Sequence, residues 1–98
     1  MIWHAPHTNA ELLNIAKAAT GLQSDYALAQ RLGITRSAVS AQRLGKRIME
    51  DGAAVKLAGL AELPLPYVLA CLHHQRASDP GLKAAWHSMA STAIQEAA

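Results

Sequence analysis

The sequence predicts an all-α fold, and three observations carry that expectation. Ala and Leu dominate a chain of 98 residues that is 51% hydrophobic, Phe is absent, and Val and Ile are few. Ala and Leu lose little conformational freedom in a helix while β-branched residues lose more, so this bias favours helix over strand. Apolar residues also recur at three- and four-residue intervals, and capping and breaking residues interrupt them where helices start and stop.

Six helices follow in order. Thr8 and Glu11 stand at capping-box spacing and open the first, in which Leu12, Ile15, Ala16 and Ala19 form a stripe that Gly21 ends. Ser24 caps the second, which carries Ala27, Leu28 and Leu32 up to Gly33. Thr35 caps the third, which runs to about Leu44 and is closed by Gly45. The fourth lies within Glu50 to Ala61, with Ala54, Leu57, Ala58 and Ala61 on one side. Pro64 breaks the chain, and Pro66 suits the first turn of a fifth helix reaching Arg76, with Val68, Leu69 and Leu72 as core. Asp79 followed by Pro80 starts a sixth, running to about Gln95.

The length fits one domain with a terminal appendage. The run SDPG at 78–81 is the plausible internal boundary, separating a unit at 8–76 from a helix at 79–96. One cysteine, Cys71, excludes an internal disulfide framework and suits a reducing compartment. The first residues lack a basic segment followed by an apolar run, so no secretory leader is expected. No stretch approaches the ~18 uninterrupted apolar residues of a membrane span. A soluble, cytoplasmic protein is the expectation.

Charge is unevenly distributed. Residues 1–50 hold six basic residues against three acidic ones, whereas 51–98 hold three against four. From Arg31 to Arg47 there are five cations and no acid. Such a stretch suits a polyanionic partner, although a solvated basic helix face has the same composition.

Within that stretch, DYALAQRLGITRSAVSAQRLG (25–45) has the layout of two short helices joined by a tight turn. Ala29 supplies the small residue such a crossing needs, and Gly33 tolerates the positive φ of the turn. Leu28, Leu32, Ile34 and Val39 lock the pair to the core. At about 100° per residue, Arg36, Ser37, Ser40 and Ala41 share an arc of about 140°, while Ala38 and Val39 face the opposite way. A face of that width enters a DNA major groove.

These residues also resemble a known family. Leu28-Ala29, Leu32-Gly33-Ile34-Thr35, Val39-Ser40 and Gly45 match, in order and spacing, the lambda-repressor-like (Cro/CI, Xre-type) helix-turn-helix regulators of bacteria and phages. Ala54 to Leu63 with Pro66 to Leu72 is similar to the last two helices of that five-helix fold. The run YVLACLHHQRA with Trp86 resembles small phage-related members. The resemblance implies a five-helix DNA-binding domain with an added C-terminal helix, acting as a homodimeric phage or prophage repressor on a double-stranded DNA operator. Thr35 would meet a phosphate. Arg36 and Ser37 would sit deepest in the groove, with Ser40 and Ala41 completing the base-facing surface. Arg43, Lys46 and Arg47 would hold the sugar-phosphate backbone.

Asp25 stands where the family often carries Gln, and is expected to favour the helix N-terminus through the dipole. Gln42 stands where the family prefers a large apolar residue, which leaves that core contact to Leu44, to Ile48 or to no residue.

Other chemistry is thinner. His4, His7, His73, His74 and His87 with Cys71 show no paired metal-ligand spacing, and exposed helix positions account for the histidines. No cofactor, metal or small-molecule ligand is implied. Neither a nucleophile elbow nor a Gly-rich phosphate loop is present, so an enzyme is not expected. In the last helix Leu82, Trp86, Met89 and Ala93 form an apolar stripe, read as a dimer interface or as a face folding back toward Trp3. The alternative function is a protein-interaction module (inhibitor, antitoxin or adaptor) that keeps the fold without binding DNA.

Overall fold

The computed structural model describes residues 6–97; Trp3 and His4, named above, lie outside them. Among the described residues every regular element is helical: α1 Asn9–Thr20, α2 Asp25–Leu32, α3 Arg36–Arg43, α4 Asp51–Ala61, α5 Leu65–Arg76 and α6 Pro80–Ala97. No helix among them is long and apolar enough to cross a membrane.

The caps explain the boundaries. Thr8 Oγ1 accepts from the Glu11 amide at 3.2 Å while Glu11 Oε1 accepts from the Thr8 amide at 2.8 Å, a complete capping box. That amide holds the Glu11 carboxyl below its ordinary range. Ser24 accepts from the Ala27 amide and Thr35 from the Ala38 amide, opening α2 and α3. Gly21, Gly33 and Gly45 each take left-handed φ beyond the ends of α1, α2 and α3. α5 begins one residue before Pro66, and Asp79 caps α6 by accepting from the Leu82 amide.

One core joins all six helices. Leu12, Leu28, Val39, Leu57, Val68 and Leu72 are fully buried in it, together with Tyr67 and Met49. Each full burial of such a side chain contributes about 1.5–3 kcal/mol before conformational entropy is deducted. The α1 stripe is centred on Leu12, Leu13 and Ala16; Ile15 lies at its margin and Ala19 is exposed.

The C-terminal helix does not present one uniform stripe. α6 lies along α5 with Ala90 fully buried, and Trp86, Ala93 and Ile94 pack against the core. Leu82 and Met89 turn outward and are 55% and 54% exposed. The expected four-residue interface is therefore divided between an intramolecular seam and two exposed side chains. A helix burying its centre on a neighbour leaves only its flank for anything else.

His87 is exposed as expected, but other histidines differ. His73 and His74 are half-buried at the α5–α6 seam rather than exposed. The His73 ring stacks on Trp86 with centroids 4.6 Å apart, and His74 faces His87 at 6.1 Å. Burial, then Lys83 and His87, hold the His74 imidazole below its ordinary pKa. Cys71 is buried, and that burial raises its thiol pKa.

Candidate nucleic-acid interface

The turn between α2 and α3 sets the direction of α3. Gly33 closes α2 at φ 73°, and the amide of Ile34 donates back to the Ala29 carbonyl at 3.0 Å. A Cβ at Gly33 would lie 2.7 Å from Lys56 Nζ, so a side chain there meets strain and a neighbour together. α3 then buries Ala38, Val39 and Gln42, leaving Arg36, Ser37 and Ser40 exposed and Ala41 half-exposed. These four residues line one shallow surface depression with Leu44 and Lys46. The face expected from helical spacing is thus the face that is open.

Thr35 caps α3 through its oxygen, accepting from the Ala38 amide at 3.0 Å. Its own hydroxyl proton remains available to an anion beside the helix N-terminus.

The segment after α3 is held by side chains that sequence reasoning missed. Asn9, buried at the start of α1, donates from Nδ2 to the Arg47 carbonyl at 3.0 Å and accepts from the Met49 amide at 3.4 Å. Arg76 donates to the Met49 carbonyl at 2.6 Å and pairs with Asp51 at 3.4 Å. Two distant helices thereby fix the backbone that carries Lys46 and Arg47. The only sequence signal was an Asn just inside a helix already capped by Thr8.

Arg43 is placed differently from its sister cations. Its guanidinium grips both oxygens of Asp25 at 2.7 and 2.9 Å and donates to Asn14 Oδ1 at 2.8 Å. Lys17 Nζ also reaches Asp25, at 3.3 Å. The group ties α3 to the start of α2 and to α1, and the Arg43 hydrogen bonds, supported by Lys17, hold the Asp25 carboxyl below its ordinary range. Arg43 is therefore committed within the protein, and Asp25 is an ion-pair centre rather than only a dipole partner. Among the described residues, Arg31, Arg36, Lys46, Arg47 and Lys56 form no ion pair.

Gln42 and Leu44 exchange their expected environments. Gln42 is 4% exposed and, among the described residues, its Oε1 has no hydrogen-bond partner. It lines a small cavity with Ile34, Ala38, Arg47, Ile48, Glu50 and Ala53. Leu44 points out and is 67% exposed, while Ile48 packs at the core margin. The helix register decides this, because residue 42 shares the inward side with 38 and 39 whereas 44 follows 40 and 41.

Among the described residues no three His, Cys, Asp or Glu side chains converge as metal ligands. Comparison with known protein families, characterised proteins and solved structures finds no match to this chain.

Proposed function

We propose that this chain is a sequence-specific double-stranded DNA-binding transcriptional regulator that inserts α3 into the major groove. One observation carries the reading: the outward face of α3 combines Arg36, Ser37, Ser40 and Ala41 in a single depression with Lys46, and among the described residues Arg36 and Lys46 form no ion pair. Arg36 donates bidentately to a guanine edge, and Ser37 and Ser40 exchange hydrogen bonds with bases. Thr35, Lys46 and Arg47 meet phosphates, while Arg43 holds α3 at its angle instead of touching the duplex. The lambda-repressor-like five-helix plan with an added helix belongs to this reading through the family resemblance of residues 28–45, 54–63 and 66–72, the phage-type repressor role through that of residues 67–77 with Trp86, and a cytoplasmic place through the single cysteine.

A homodimer completes the proposal, since two copies read two half-sites about one helical turn apart. Leu82 and Met89, exposed on the flank of α6, are the side chains free to meet a second copy, while Trp86 and Ala93 pack against the core.

The test is duplex binding as a function of salt. Affinity for DNA enriched from a random pool falls steeply between low and moderate salt, each lost phosphate contact lowering the slope by about one. Absence of duplex binding at low salt overturns the reading and leaves the protein-interaction module in its place.

A further inference from the structure

Leu44 is the most exposed large hydrophobic side chain among the described residues, and it lies on the α3 face that the DNA-binding reading uses. It is held firmly. Its amide donates to the Ser40 carbonyl at 3.1 Å, its backbone stays helical, and the Lys46 amide closes over it onto the Ala41 carbonyl at 2.9 Å. With its Cα so fixed, Leu44 presents its side chain outward from this face, 67% exposed. Three positions earlier on the helix stands Ala41, and both line the depression that Arg36 and Lys46 border.

We infer that Leu44, together with Ala41, forms an apolar notch that reads the C5-methyl group of thymine, making Leu44 a specificity-determining residue. This rests on the DNA-binding reading above. The thymine methyl is the apolar group that a B-form major groove presents beside its donors and acceptors. A symmetric contact between two copies through Leu44 is disfavoured by charge, because it would bring two sets of Arg36 and Lys46 together. The flanking cations favour a polyanion that itself carries an apolar group at groove depth.

The experiment uses the full chain and one enriched duplex pool, copied once with thymine and once with uracil, which differ by the methyl group alone. The wild type binds the thymine copy tighter by about fourfold for each methyl seated in the notch. Leu44→Ser brings the two affinities together, Leu44→Met keeps them apart, and Val55→Ser on the outer face of α4 keeps the wild-type ratio. Equal wild-type affinity for both copies overturns the inference while the DNA-binding reading stands. Retention of the wild-type ratio by Leu44→Ser overturns it equally. Binding to neither copy at low salt overturns the DNA-binding reading and the inference with it.

Discussion

Asp25 and Arg43 stand eighteen residues apart in sequence and meet in a bidentate pair, with Lys17 and Asn14 completing the group. Asp25→Asn breaks its charge while conserving its shape, and should cost about 1–2 kcal/mol at neutral pH, read from urea unfolding. The Asp25 pKa is lowered in the folded protein, so its contribution is complete above the unfolded value of about 3.9 and is lost as pH falls below it. The variant should therefore lose less stability than the wild type on acidification below about pH 4. Gln42 gives the opposite expectation. Its buried Oε1 has no partner, so Gln42→Leu removes an unsatisfied group and should stabilise by about 1 kcal/mol. A destabilised Gln42→Leu would mean the amide makes contacts that the cavity geometry does not reveal. At this scale the sequence was only partly legible. Thr8, Glu11, Ser24 and Thr35 cap as their spacing indicates because caps are local. The Asp25–Arg43 pair and the Asn9–Met49 bond depend on how helices meet, which spacing along one helix does not encode.

At the scale of elements, six helices and their order were legible, since glycines and prolines mark their ends. The division of α6 was not. Leu82, Trp86, Met89 and Ala93 satisfy one helical stripe on paper, yet α5 takes only one edge of it. What lies at that seam makes it sensitive to pH. His74 sits beside Lys83 and His87, and its lowered pKa means the unfolded chain binds more protons near the imidazole range. Stability from this group is present above about pH 6.5 and declines as pH falls from there. His74→Gln should flatten the loss between the wild type's neutral and mildly acidic unfolding curves, with the α6 contact monitored through Trp86 in a Trp3→Phe background. An unchanged pH profile would contradict this role of His74.

For the whole molecule, the burial of Ala90 beside Trp86, Ala93 and Ile94 makes α6 part of the same core as α1–α5, and the exposed flank of α6 lies apart from the depression on α3. Under the proposed function, that separation would let one copy meet another without covering the α3 face. Under the proposed homodimer, a Leu82→Ser and Met89→Ser double variant should remain helical but sediment as a smaller species than the wild type at equal concentration; unchanged association would move the interface elsewhere. Base reading by α3 is put to the test by comparing Arg36→Ala with Arg47→Ala on an enriched duplex and on a scrambled one. Arg36→Ala should remove most of the preference between them, a loss of about 1–3 kcal/mol of discrimination, while Arg47→Ala weakens both duplexes alike. Equal losses on both duplexes for both variants would contradict base reading by α3.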